Sequence, residues 1–149
     1  MNCVDERHYQ ANTHVKGNIV IVDYKNFFKE WKSWQDFEPR VDGINGVYAF
    51  RLKKPFARLH GESNILYIGK ADQNQETNTR PGLWHRLMNY RQNNKGASQR
   101  LKDIEQAFGG KSSIEYAYVV CTKPRETESA LLDSYYAHHL EYPPLNRAS

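Results

Sequence analysis

Two short apolar runs, each carrying a tyrosine beside a glycine, constrain this chain more than any other feature. Gly46-Val47-Tyr48 leads into the run Val47–Leu52, and Tyr67-Ile68-Gly69 ends the run Ile65–Ile68. Runs this short, rich in β-branched and aromatic residues and bounded by glycine, read as strands rather than as helices. A sheet built from them needs helices to cover it.

The remaining periodicity supplies that cover. Pro81-Gly82 opens a helix reaching about Asn93, with Leu83, Leu87 and Tyr90 on one stripe. Ser98–Phe108 is a second helix, with Leu101, Ile104 and Phe108 on one face and Gly109-Gly110 as its stop. Ile114–Cys121 alternates as a third strand, and residues 125–140 form a last helix ended before Pro143-Pro144. The order β-β-α-α-β-α predicts an α+β fold, a small three-stranded antiparallel sheet flanked by helices. Two long links interrupt it, Lys53–Asn64 with Pro55 and Gly61 as breakers, and the polar stretch Ala71–Arg80.

Upstream, residues 1–17 are polar and patternless, and Ile19–Val22 is either a strand or the lead-in to a helix. From Tyr24 to Trp34, Phe27, Phe28, Trp31 and Trp34 recur at helical spacing, which predicts an amphipathic helix whose aromatics pack against the rest. The expected division is an N-terminal extension, 1–44, and a folded domain, 45–149.

At 149 residues the chain can bury one real core. Its net charge of +4 and pI near 9.0 are compatible with nucleic acid without requiring it. Only Cys3 and Cys121 are present, which excludes a disulfide framework and a four-thiolate zinc site, and Cys121 reads as a buried thiol. Residues 1–18 do not resemble a signal peptide, and no apolar stretch nears the ~20 residues of a membrane span. The expectation is a soluble cytoplasmic protein with no membrane partner.

Helical geometry sorts the acids of the last helix. At ~100° per residue, Leu131, Leu132, Tyr135 and His139 fall within about 60° of Glu128, whereas Glu126 and Asp133 lie about 140–160° away. Glu128 therefore shares the buried stripe, where a carboxylate costs several kcal/mol unless it is paired or binds a metal. A structural salt bridge is the bland alternative. Arg86 sits at the margin of its helix's stripe, where an arginine can also simply reach solvent. Tyr48 shares a strand face with Phe50 and Leu52, and Tyr67 alternates away from Leu66 and Ile68; for both, core packing competes with chemistry. Gly69 allows a sharp strand exit with room for a phosphate. Arg91, Lys95, Arg100 and Lys102 read as solvated charges within reach of a backbone phosphate, and His85, His138 and His139 as surface or packing residues. Trp84 and Met88 share another face of their helix, suited to packing on the N-terminal helix.

Taken together, these pieces resemble the GIY-YIG nuclease family. Its first tripeptide corresponds to Gly46-Val47-Tyr48 and its second to Tyr67-Ile68-Gly69, followed by Lys70. The helical arginine corresponds to Arg86, the glutamate to Glu128 and the closing asparagine to Asn146. The resemblance covers residues 45–147 and implies an endonuclease hydrolysing phosphodiester bonds, with DNA as the expected partner. It implies one Mg²⁺, replaceable by Mn²⁺, held chiefly by Glu128. Arg86 would neutralise the nonbridging oxygens, Tyr48 would act as base with Tyr67 and Lys70 assisting, and Asn146 would orient Glu128 or the phosphate. A phage, mobile-element or DNA-repair setting and a homodimer are compatible with it.

The chain departs from the family pattern in three places. Tyr48 and Tyr67 are 19 positions apart, implying an insertion at Lys53–Asn64. Asp72–Arg80 is a second insertion. Aligning on Ala130-Leu131-Leu132-Asp133 would give the acidic role to Asp133, which faces away from the stripe and reaches less far than Glu128. Two other functions use the same residues, a catalytically silent nucleic-acid-binding module and an RNA-cleaving enzyme whose 2′-hydroxyl nucleophile would dispense with metal.

Overall fold

A long antiparallel pair, β4 (Gly46–Ala57) and β5 (Glu62–Ala71), forms the frame of the molecule. The computed structural model describes residues 13–16, 19–40, 44–73 and 82–146. Downstream of the pair come α2 (Leu83–Gln92), α3 (Gly96–Ala107), β6 (Ile114–Val120) and α4 (Pro124–His139), in the expected ββααβα order. Upstream lie a hairpin of β1 (Thr13–Lys16) and β2 (Ile19–Val22), the single turn α1 (Tyr24–Phe27) and the two-residue β3 (Lys32–Ser33). Ile19–Val22 is thus a strand rather than the lead-in to a helix.

The fold is α+β, but the sheet has four strands, not three. Its order is β3-β6-β4-β5 with every pair antiparallel. The added strand comes from the N-terminal segment, whose Lys32 and Ser33 pair with Tyr116 and Glu115 at the edge of β6.

That pairing also explains why Tyr24–Trp34 is not one helix. Phe27 and Phe28 are buried on one face of the sheet, with Val47, Ala49, Ile68, Leu131 and Tyr135. Trp34 and Phe37 are buried on the other, with Tyr48, Phe50, Leu83, Leu87 and Leu101. A straight helix cannot serve both faces, so the chain makes one turn, crosses the edge as β3, and re-enters through a short 3₁₀ turn, Trp34–Asp36. The aromatics are core, as expected, but they belong to two cores. Trp84 packs against Phe37 and Tyr118 of this arrangement, not against an N-terminal helix.

The link Lys53–Asn64 is strand rather than loop over most of its length. It extends the hairpin: β4 runs on to Ala57, β5 begins at Glu62, and the turn between them closes with the Arg58 amide donating to the Gly61 carbonyl at 3.0 Å. The pairing shifts between Phe50 and Arg51 and again before Phe56, so irregular register absorbs Pro55, which has no amide to donate. Most of the other link, Asp72–Arg80, lies outside the described residues.

β5 is the outer strand of the sheet, and the C-terminal segment covers it. The Leu145 amide donates to the Leu66 carbonyl at 2.9 Å, and Asn146 follows beside Ile68. Unpaired edge groups are thereby satisfied without another strand. Cys121, buried just past β6, is disulfide-bonded rather than the thiol its apolar run suggests. No helix among the described residues is long and apolar enough to cross a membrane.

Candidate active site

The register of β4 and β5 places the two tripeptides side by side. Tyr48 pairs with Gly69, and Phe50 with Tyr67. With no side chain at Gly69, the Tyr48 ring lies across it toward Tyr67, the ring centroids 6.0 Å apart. A Cβ at Gly69 would sit 2.6 Å from Tyr48 Cζ and from Tyr67 Cε2. Gly46 does the same work on the other side, where a Cβ would meet the Val119 carbonyl oxygen at 2.5 Å. The glycines are therefore required by packing. Gly69 does not end its strand, since β5 continues to Ala71.

A third tyrosine completes the arrangement. Tyr90, on α2, shares a 2.8 Å hydrogen bond between its hydroxyl and that of Tyr48, and its ring stands 5.9 Å from Tyr67. Spacing alone places Tyr90 on an apolar stripe. The signal was its position four residues after Arg86, which puts both on one side of the helix. Tyr48 is 1% exposed, and Tyr67, half-buried, is the more accessible of the two tripeptide tyrosines. The shift in pairing next to Phe50 lets Leu66 and Tyr67 pack into the same core as Tyr48, so Tyr67 does not simply alternate away from Leu66.

Burial pushes the Tyr48 hydroxyl well above the usual phenol range, and Tyr67 adds to this. The Tyr90 hydrogen bond and the Arg86 guanidinium oppose it. Burial likewise raises Tyr90, with Tyr48 and Tyr67 contributing. At neutral pH both are neutral phenols.

Glu128 approaches from α4. It is half-buried, whereas Glu126 and Asp133 on the same helix are exposed, as the helical geometry anticipated. Burial raises its carboxyl above the ordinary value, and Lys70 and Arg86 pull it back. Its charge is also felt at Tyr48. Lys70 pairs with Val47 and so lies on the α4 side of the sheet, while Arg86 belongs to α2 on the Tyr48 side. The group is therefore assembled from both layers, around the margin of the sheet at β5. Among the described residues, neither cation closes a salt bridge onto Glu128. The Arg86 Nε is buried without a hydrogen-bond partner. Arg58 and Arg91 also have such an Nε, but their guanidinium groups are engaged elsewhere, by Glu141 and by the Trp34 carbonyl.

The Asn146 side chain bonds the backbone of β5. Its Oδ1 accepts from the Ile68 amide at 3.0 Å, and its Nδ2 donates to the Ile68 carbonyl at 2.8 Å. The side chain acts as one rung of an additional strand and fixes the backbone between Tyr67 and Gly69.

Several basic residues turn out to be structural. Arg91 stacks on Trp34 at 4.5 Å, Arg100 donates to the Pro144 carbonyl at 2.7 Å, and Lys102 to the Asn93 carbonyl at 2.6 Å. His139 is buried, with its Nδ1 facing the His60 carbonyl at 2.7 Å.

Among the described residues there is no group of three or more His, Cys, Asp or Glu that could hold a metal. A single half-buried carboxylate suits only an ion that keeps most of its water, and Mg²⁺ does so. Glu128 fits such an ion.

No protein-family model matches the chain, and no solved structure matches it. A stretch of 63 residues, 42% of the chain, is 33% identical to CCA-adding enzymes of Streptococcus pyogenes serotypes M5 and M3. The match spans only 15% of the length of those enzymes, too little to carry their family over.

Proposed function

We propose that the chain is a metal-dependent endonuclease of the GIY-YIG type that hydrolyses phosphodiester bonds, with DNA preferred to RNA. The observation that carries this reading is the convergence of one half-buried carboxylate, Glu128, with two cations and a tyrosine cluster from both layers of the fold. Glu128 is half-buried and feels both cations without an ion pair to either. That is unfavourable for a purely structural cluster and useful for one that must accept a phosphate and an ion.

A divalent ion held by Glu128, Mg²⁺ or in its place Mn²⁺, would polarise the scissile phosphate and stabilise the leaving oxygen. Arg86 binds the nonbridging oxygens, and its unpartnered Nε is a donor available for one of them; such a contact is worth about 3–4 kcal/mol in a transition state. Lys70 adds positive charge from the other layer. Tyr48 and Tyr67 orient the attacking water. Tyr48 can take the water's proton only as the phenolate, after its own proton has left to solvent; for even an ordinary phenol near neutrality this requires about 4 kcal/mol of stabilisation by cations such as Arg86, and burial adds to that. Asn146 is a positioning residue.

The test uses supercoiled plasmid, single-stranded DNA and RNA, each with Mg²⁺ and with chelator, for the wild type and Glu128→Gln. The wild type should cut DNA only with Mg²⁺, and the variant should lose at least about 100-fold. Because burial raises the Glu128 carboxyl, ionised Glu128 weakens the fold above the ordinary glutamate range, so the neutral variant should melt no lower than the wild type. Wild-type cutting by the variant would refute the site. Binding without cutting would favour the silent module, and RNA cleavage that survives chelator would favour a 2′-hydroxyl nucleophile.

A further inference from the structure

A second opening lies further along the sheet face that carries Tyr48. Leu52 follows Tyr48 and Phe50 on that face, and beyond it Lys53 and Lys54 leave the core. Leu52, Lys53, Lys54, Phe108, Ser112 and Ser113 line a cavity of about 350 Å³. That is ample for one planar ring system with its substituents.

Its composition is selective. No carboxylate lines it, and neither lysine enters an ion pair among the described residues. Phe108 is 58% exposed although it ends the apolar stripe of α3. The turn that follows holds it there. Gly109 and Gly110 adopt φ of 100° and 104°, and the Ser113 hydroxyl donates to the Gly110 carbonyl at 2.6 Å, so the chain reverses before the ring can fold under. One exposed phenylalanine means little on its own. Here it stands at the rim of a cavity with an apolar floor at Leu52, two uncommitted ammonium groups and serine hydroxyls. A flat apolar ring joined to an anion satisfies all of these together. A nucleotide has that chemistry, but only when unpaired, since the faces of paired bases are already covered by stacking.

We infer that this cavity is a second nucleic-acid contact, which takes one unpaired nucleotide with its base on Phe108 and its phosphate against Lys53 and Lys54. The choice of ligand rests on the nuclease reading. Leu52 is four positions beyond Tyr48, ~13 Å along a strand, a distance a nucleic-acid strand covers in no more than about four nucleotides. One strand can engage both, which directs cutting to substrates unpaired beside the scissile bond.

The experiment titrates labelled oligothymidylate, oligouridylate and a duplex of equal length against the full chain, by fluorescence anisotropy at several salt concentrations. Phe108→Ala should weaken single-strand binding roughly 5- to 100-fold, leave duplex binding within about two-fold, and be rescued by Phe108→Trp. Replacing Lys53 and Lys54 by Gln should flatten the salt dependence by about 0.7 per lysine. Hydrolysis of bis(p-nitrophenyl) phosphate, which reaches the active site alone, should be unchanged in all three variants. Equal single-strand affinity for Phe108→Ala and wild type overturns the inference, as does an equal loss on duplex. A loss on oligothymidylate alone, or on both oligomers, supports it. If the wild type hydrolyses nothing but Phe108 still governs single-strand binding, the nuclease reading fails and the cavity assignment stands.

Discussion

Gly69 shows how far one residue's role can lie beyond its own sequence. Read along the chain, it is a strand terminator that leaves room for a phosphate. In the fold it is the floor on which the Tyr48 ring rests, a role created by pairing with a residue 21 positions earlier. Adding one methyl there should destabilise the protein by about 1–3 kcal/mol, because Tyr48 is fully packed and cannot retreat. Urea denaturation of Gly69→Ala checks this, and cleavage should fall further than the lost stability explains, since the ring that moves is at the site. A Gly69→Ala protein of wild-type stability would mean that Tyr48 is not held over the glycine. Glu128 was legible for the opposite reason. Its burial follows from spacing within one helix, which a sequence displays directly, and the same geometry separated it from Glu126 and Asp133. Tyr90 and Asn146 were not legible in their roles, because each is defined by a partner on another element.

Elements read correctly where one periodicity held from end to end, and misread where it broke. The last helix packs along one stripe, the third strand alternates between the two cores, and their limits lie within a residue or two of expectation. The N-terminal aromatics recur at helical spacing, yet two layers claim them, and the crossing strand β3 is too short to leave a pattern. The hairpin tip depends on the end of α4 and on the residues just after it. Arg58 bonds the Tyr142 carbonyl at 2.6 Å and Glu141 at 3.0 Å, while the His60 carbonyl can only accept, so His139 Nδ1 carries the proton and its Nε2 accepts from the Tyr24 hydroxyl. The C-terminal segment is tied to β5 in the same way. Asn146→Ala removes both rungs on Ile68 and should cost about 1–3 kcal/mol in chemical denaturation, while Asn146→Asp, which keeps the acceptor and loses the donor, should fall between. If Asn146→Ala abolished cleavage at wild-type stability, the residue would be touching substrate, and its assignment as a brace for β5 would be refuted.

At the scale of the whole molecule, the high tyrosine content is as much a stability device as a site. Burial raises the hydroxyls of Tyr48 and Tyr90 well above the usual phenol range, Tyr24 to about 12, and those of Tyr116 and Tyr135 to a lesser degree. These five are spread over both cores. In the unfolded chain each would ionise near 10.0, the ordinary value; in the fold each holds its proton to higher pH. The folded state therefore binds more protons than the unfolded state once pH passes 10, and stability falls as pH rises through that window. Their contribution is fully present below it. The expected outcome is a cooperative alkaline unfolding above pH 10, with a slope reporting several protons released together. Phenolate absorbance from the buried tyrosines should rise in a step coincident with loss of the circular dichroism signal. Replacing Tyr90 by Phe should make that slope shallower, since one late proton is removed and the Tyr48 hydroxyl loses only a neutral partner. Titration of every tyrosine in one gradual stage, with the fold intact, would show that the buried hydroxyls reach solvent, and the closed tyrosine cluster at the site would then have to be abandoned.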